Sequence, residues 1–187
     1  MFNRDRNRGL SLVELVATVA LLALLATFAI PGVGAWANAE RHQALINSYN
    51  GLFSYARWMA ASNRHRVTVC PLSPAGECVD DWDLPVHVFP DRDSNQKPDA
   101  GMIWRTLESP PSGFSTRSRT AGRGYFRFSA QGISHGSMGS LVVCSSATAP
   151  RAKMSYLAIN MGGRFRALHD KDGDRRIKLP WGAVIKC

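Results

Sequence analysis

The chain has 187 residues and a formal net charge of +9, which leaves room for one domain of ordinary size besides an N-terminal anchor. The positive excess indicates either an anionic partner or a merely soluble basic surface, since charge bears on association and not on fold. Five histidines are present, but they are scattered along the chain. Isolated histidines of this kind are usually surface or structural residues, so the sequence predicts that the protein is not an enzyme.

The first element is an apolar run that follows a short basic leader. From Leu12 to Ile30 the only charged residue is Glu14, and such a helix is roughly 28 Å long, enough to span a bilayer. The leader carries three arginines and one acid, which predicts that it stays on the cytoplasmic side. A carboxylate inside a membrane helix is costly, so we expect Glu14 to have a partner.

The basic leader ends in Gly9, which is followed by the apolar Leu10 and, four residues later, by Glu14. This pattern resembles the class III leader of type IV prepilins and type II secretion pseudopilins. The resemblance implies that prepilin peptidase cleaves after Gly9 and leaves Leu10 as a methylated N-terminus. Glu14 would then neutralise the α-amino group of a neighbouring subunit in a filament. Cleavage would remove three Arg and one Asp and leave a side-chain charge of +7; a generic single-span anchor is the alternative.

Helical periodicity continues beyond Pro31, which should kink the helix without ending it. Apolar residues recur at intervals of three and four and predict a face that packs on a sheet: Leu45, Tyr49, Leu52, Ala56 and Met59, widened by Ile46, Phe53 and Ala60. We therefore expect one helix over about 10–62. Segment 10–30 would cross the membrane and form the filament core, 31–63 would be its amphipathic continuation, and 64–187 would be a periplasmic domain.

After the helix the pattern changes to short strands separated by turn residues. Eight strands are predicted, at residues 67–70, 84–89, 102–107, 125–129, 141–145, 155–159, 165–168 and 183–187. A long helix on antiparallel strands is an α+β plan. It resembles the type IV pilin-like fold, and within it the FimT/GspH group of minor pilins and pseudopilins, whose globular domain is mostly β.

Four cysteines follow a segment that would lead into an oxidising periplasm, and their even number indicates two disulfides with three possible connectivities. We favour Cys70 with Cys78, which closes a local turn, and Cys144 with Cys187, which ties down the C-terminal segment. A zinc site is the weaker interpretation, because no Cys-x-x-Cys pair and no matching histidine pair occurs.

Charge is segregated along the chain. Eight acids and three bases lie between Pro71 and Glu108, whereas Ser109 to His169 holds eight bases and no acid. Two acidic loops, 91–95 and 170–174, hint at calcium, but both lack the glycine and glutamate that an EF-hand needs at its sixth and twelfth positions. We interpret them as surface turns and assign no metal site and no cofactor.

The glycine pair ahead of Arg164 predicts a tight turn with positive φ between two strands. Arg164 and Arg166 should then project to one face, with Phe165 pointing inward. Guanidinium groups at about 7 Å spacing match successive phosphates and bind them bidentately. This Gly-Arg-x-Arg sequence looks like the DNA-binding motif of FimT-like minor pilins, which serve DNA uptake in natural transformation. A hairpin tip without a ligand is the alternative.

Three hypotheses remain open. The first is a minor type IV pilin that binds the DNA backbone without base specificity, through Gly163, Arg164 and Arg166. The candidates for extending this patch are Arg151, Lys153, Arg117, Arg119 and Arg123. The second is a structural, GspH-like minor pseudopilin of the type II secretion system that binds no DNA. The third is a minor pilin needed only for assembly. Each implies other pilins and prepilin peptidase as partners, and a single pass through the inner membrane. The chain would then enter a pilus filament at the cell surface or, in the second hypothesis, a short periplasmic filament.

Overall fold

The computed structural model describes residues 11–134, 136, 138–146 and 153–187, with the backbone alone at 28–32. The chain divides into two compact units, Met1–Ala37 and Asn38–Cys187. The predicted cleavage site between Gly9 and Leu10 lies outside the described residues, as does Arg151.

Helix α1 runs from Leu12 to Asn63 over 52 residues and continues through Pro31, as the periodicity predicted. Ser11 caps its first turn. The Ser11 Oγ accepts a hydrogen bond from the Glu14 backbone N–H at 3.2 Å, and the Ser11 carbonyl accepts one from the Leu15 N–H at 3.1 Å. A serine at this position satisfies helix N–H groups that would otherwise have no partner.

No helix in the part of the chain that the structure describes is both long enough and apolar enough to cross a membrane. The predicted span, 10–30, includes Leu10 and the side chains of 28–30, which lie outside the described part. The membrane span therefore stays a prediction.

In the second unit the predicted apolar stripe of α1 is buried, as expected. Seven of its eight side chains are at most 6% exposed, and Met59 is partly buried against the same core. The stripe packs on apolar side chains from two β-sheets, among them Val69, Phe126, Leu141 and Leu157. Burying this face stabilises the helix far more than its intrinsic propensity does.

Ten strands and a short 3₁₀ turn at Asp99–Gly101 follow the helix. The strands are β1 (Val67–Pro71), β2 (Val86–Pro90), β3 (Arg105–Leu107), β4 (Phe114–Arg119), β5 (Phe126–Phe128), β6 (Gly139–Ser145), β7 (Met154–Ile159), β8 (Phe165–His169), β9 (Arg176–Lys178) and β10 (Val184–Lys186). The first sheet has the order β3-β2-β1-β5 and the second β4-β6-β7-β8; β9 and β10 form a hairpin. All pairs are antiparallel, which confirms the α+β pilin-like plan.

Two strands, β4 and β9, were missed by the sequence prediction, whereas each of the eight predicted strands is present with shifted ends. Strand β4 is an edge strand in which only Thr116 is fully buried, so it lacks the apolar alternation that marks a strand. Strand β9 has three residues, of which only Ile177 is buried. Strands β4 and β9 are each defined by their pairing with a neighbouring strand and not by an apolar pattern in their own sequence.

The β9–β10 hairpin covers the face of the second sheet that points away from α1. Ile177 and Ile185 of the hairpin pack there with Val142 and Tyr156 of the sheet. A disulfide between Cys144 and Cys187 fixes the hairpin to β6, and a second joins Cys70 to Cys78. Both pairs are the predicted ones. The second sheet is thus covered on both faces.

A buried histidine, His42, links α1 to the second sheet. Its Nε2 lies 2.9 Å from the Ser155 Oγ, and that hydroxyl lies 2.9 Å from the Nδ1 of His169. The His42 Nδ1 has no hydrogen-bond partner among the described residues. Burial, together with the charges of Lys153 and His169, lowers the pKa of His42 from 6.5 to about 4.

Acidification from pH 6.5 to about 4 should therefore destabilise the fold. In this range His42 stays neutral when folded but takes up a proton when unfolded, so the free energy of unfolding falls with the pH. The loss should reach about 3 kcal/mol. Urea unfolding of the wild type and of His42→Gln at both pH values tests this. Burial also lowers the pKa of His87, so the variant should keep a shallower pH dependence; an equally steep one would contradict the assignment.

Candidate nucleic-acid interface

The glycine turn predicted before Arg164 is present between β7 and β8. The Gly163 N–H donates to the Asn160 carbonyl at 2.9 Å, and the Asn160 N–H donates to the Arg164 carbonyl at 3.2 Å. The Asn160 side chain closes the turn, because its Oδ1 accepts the Arg164 N–H at 2.9 Å. Only the second glycine of the pair, Gly163, has a positive φ, of 71°. Glycine adopts that conformation without steric cost.

Gly163 also packs against a second turn, which ends at Gly132. A Cβ on Gly163 would lie 2.6 Å from the Gly132 carbonyl oxygen and 3.3 Å from the Arg57 Cδ. Arg57 of α1 reaches the same place, since its Nε donates to the Gly132 carbonyl at 3.2 Å. The glycine before Arg164 is therefore required by the packing of two turns and a helix side chain, whether or not a ligand binds.

The arginines beside Phe165 are both exposed. Phe165 points inward, as predicted, and its ring lies 5.9 Å from that of Phe53 on α1. Arg166 stands on β8 opposite Ala158. Two ion pairs occur among the described residues, and neither involves Arg164 or Arg166. Their guanidinium groups are thus available to an anion.

Four other bases of the acid-free stretch, all among the described residues, do not join these two arginines. Lys153 precedes β7, whereas the glycine turn follows it, so a strand of six residues separates them by about 20 Å. Arg127 is paired with the buried Asp91 at 3.4 Å. Arg117 and Arg119 lie on β4, at the edge of the second sheet opposite β8. The separation of acidic and basic residues along the sequence therefore does not produce a single basic patch on the folded protein.

A different set of cations does come together near the end of α1. One groove, of about 600 Å³, is lined by Arg57, Trp58 and Arg164 among others, and a second, of about 450 Å³, by Arg64, Arg66 and Arg92. Gln131 lines both, and none of the described residues that line either one is acidic. We call the two together the arginine groove, defined by its cations: Arg57, Arg64, Arg66, Arg92 and Arg164.

The sequence interpretation missed four of these five arginines. Three of them cluster where α1 ends, which is a signal that the sequence does contain. The fourth, Arg92, stands inside an acidic loop, where no count of charge along the chain would find it.

The acidic loops, interpreted from the sequence as surface turns, are largely exposed, except that Asp91 of the first loop is buried. The Asp170 carboxylate accepts the backbone N–H groups of Asp172, Gly173 and Arg175. In the other loop, oxygens of Asp91, Asp93 and Asp99 lie within 4.8 Å of one another. Asp91 is already engaged there, because it accepts the Thr68 hydroxyl at 2.6 Å and pairs with Arg127. Hydrogen bonds account for both loops.

Two family profiles match the sequence. One, described as type II transport protein GspH, matches residues 45–163, more than half of the chain. The other, described as a prokaryotic N-terminal methylation motif, matches residues 4–30. A comparison with curated proteins gave no match.

Among solved structures, the fold is similar to the type IV minor pilin FimU of Pseudomonas aeruginosa in two crystal forms. For the P21 form the TM-score is 0.54, with 71% of this chain and 92% of that chain covered. For the P65 form the TM-score is 0.50, with 67% and 91% covered. Sequence identity is 16% in both, so the likeness concerns the fold.

Replacing Gly163 with alanine should destabilise the second unit by more than about 1 kcal/mol, because alanine is strained at positive φ and its methyl would collide with the Gly132 carbonyl. Gly162→Ala is the matched control, since a methyl there would meet the Asn160 Oδ1 at an ordinary 3.5 Å. Urea unfolding measures both. Equal stability of the two variants would contradict the packing role of Gly163.

Proposed function

The chain belongs to the GspH family of type II transport proteins, and on that basis we propose that it is a minor structural subunit of the type II secretion pseudopilus. Proteins of this pilin and pseudopilin family are structural and not enzymes. The methylation motif at residues 4–30 implies processing by prepilin peptidase and assembly with other pilins.

The observation that carries this proposal is the exposed apolar surface of helix α1 between Leu12 and Leu25. The large apolar side chains of this segment are more than half exposed, with Leu12 at 78%, Val13 at 75% and Leu22 at 66%. Apolar surface on this scale requires a cover. The inner membrane provides one before assembly, and the corresponding helices of neighbouring subunits provide one in the filament.

Processing and location follow from the same segment. Cleavage after Gly9 would make Leu10 the N-terminal residue, next to the Ser11 cap of α1. The second unit would then face the periplasm, where the oxidising conditions favour its two disulfides. The chain would pass from a single-pass inner-membrane protein to a subunit of a filament.

Glu14 is expected to be required for assembly and not for folding, since it belongs to the first unit and the hydrophobic core clusters are formed by residues of the second. We predict that Glu14→Ala in the full-length chain fails to enter filaments while disulfide formation and thermal unfolding stay unchanged. Glu40→Ala is the matched control, because Glu40 is also exposed on α1. Normal incorporation of Glu14→Ala, measured by immunoblotting of sheared filaments, would refute the role of this carboxylate.

A second candidate function is that of a minor type IV pilin that binds DNA for uptake in natural transformation. The observation in its favour is the exposed pair Arg164 and Arg166 beside the turn at Gly163, with no ion pair to either among the described residues. Such a pair would contact phosphates and not base edges, so binding would be independent of sequence.

If the second candidate is correct, the full-length chain in non-ionic detergent binds duplexes of unrelated sequence with similar affinity. With about three or four phosphates neutralised, the log-log salt slope should be roughly −3 to −4, and Arg164→Gln with Arg166→Gln should reduce its magnitude by about 2. Gel-shift titrations at several salt concentrations measure the slope.

A matched control for this test removes the same charge at the far edge of the same sheet. Arg117 and Arg119 are also two residues apart on one strand and exposed. Arg117→Gln with Arg119→Gln should leave the slope nearly unchanged. The DNA-binding candidate is refuted if the wild type does not bind at low salt, or if the slope is unchanged in the Arg164 and Arg166 double variant. The structural subunit of the pseudopilus would then be the remaining proposal.

A further inference from the structure

The arginine groove contains an aromatic side chain, Trp58, that is not buried in the hydrophobic core. Trp58 lines the groove together with Arg57 and Arg164 and is 61% exposed. Its ring has one aromatic neighbour among the described residues, Tyr55, at 6.1 Å. An indole ring of this exposure presents a flat apolar face next to several cations.

The cations of the groove are partly fixed by the protein itself. Arg57 lines the groove and is anchored through its Nε, which donates to the Gly132 carbonyl at 3.2 Å. Arg66 is held by an Nη1 contact of 2.9 Å to the Ser94 Oγ. Side chains already held in place lose less conformational entropy when a ligand binds.

The acidic side chains of the loop that carries Arg92 make hydrogen bonds or ion pairs with other residues of the protein. Asp91 is buried and bound to Thr68 and Arg127, and Asp93 accepts both the backbone and the side-chain N–H of Asn95. Asp99 accepts the Arg92 backbone N–H at 3.1 Å. These contacts fix the three acidic side chains, and none of the three residues lines the arginine groove.

We infer that the arginine groove binds single-stranded nucleic acid, with a base stacked on Trp58 and the phosphates on the arginines. This inference rests on the second candidate function, and it specifies the form of the DNA and the surface that takes it. Proteins that bind single strands without sequence preference combine a basic groove with aromatic rings. A duplex keeps its base faces inside the stack, so Trp58 has a base to stack on only when the strand is single.

The test compares Trp58→Ala with the wild type, as full-length chains in non-ionic detergent. Fluorescence anisotropy is measured with a labelled oligothymidine and with a duplex of the same length. Loss of one stacked base should weaken oligothymidine binding about tenfold and leave duplex binding unchanged. Trp58→Phe keeps an aromatic ring and should retain most of the affinity. Trp181→Ala is the matched control, because Trp181 is 70% exposed on the β9–β10 hairpin, and it should bind like the wild type.

A second experiment uses a double variant to test which arginines the bound single-stranded nucleic acid contacts. Arg64→Gln with Arg92→Gln should reduce the magnitude of the oligothymidine salt slope by about 1.4, whereas the Arg117 and Arg119 double variant should not change it. Both side chains are exposed, so thermal unfolding of the variant should match that of the wild type.

The outcomes separate this inference from the function on which it rests. If the wild type binds neither probe at low salt, the DNA-binding candidate fails and the inference fails with it. If the wild type binds DNA in a way that depends on Arg164 and Arg166, but Trp58→Ala binds oligothymidine normally, the inference is overturned and the candidate function stands. Selective loss of oligothymidine binding in Trp58→Ala supports both.

Discussion

The packing of Phe53 determines where the candidate site lies. Its ring on α1 is 5.1 Å from Phe126 in the first sheet and 5.9 Å from Phe165 in the second, so one side chain joins the helix to both sheets. Such aromatic contacts bury large areas in defined geometries. Because Phe165 is held inward, the arginines on either side of it are left outside the core. One helical turn beyond Phe53, Arg57 reaches the Gly132 turn, which brings the helix end and the β7–β8 turn together.

Most of the fold was predictable because its patterns are local. The intervals of three and four along α1 predicted both its extent and its buried face, and the spacing of apolar residues located eight of the ten strands. Of three possible disulfide connectivities, the observed one was favoured because its first pair closes a local turn and its second ties down the C-terminal segment. Strands β4 and β9 were not predictable in this way, since Thr116 and Ile177 are their only fully buried residues and neighbouring strands define them.

The candidate site was less predictable, because a charge pattern along the chain does not give the distribution of charge in space. Arg127 belongs to the acid-free stretch, yet it is paired with Asp91 from the acidic one. Arg92 comes from that acidic stretch and still lines a groove without acids. The glycine turn was predicted, but the close packing of Gly163 on Gly132 depends on two segments that are distant in sequence. Only the folded chain shows which arginines are neighbours.

The two disulfides differ in the length of chain that must be present before each can form. Cys70 and Cys78 are separated by 8 residues and Cys144 and Cys187 by 43. If the second unit is exported to the periplasm beginning at its own N-terminal end, the first pair can close while most strands are still to be translocated. Cys144, by contrast, must stay a thiol until β7, β8 and the hairpin have all arrived. Vectorial export would therefore impose an order on oxidation, and a premature bond from Cys144 to an earlier cysteine is the error that a disulfide isomerase would have to correct.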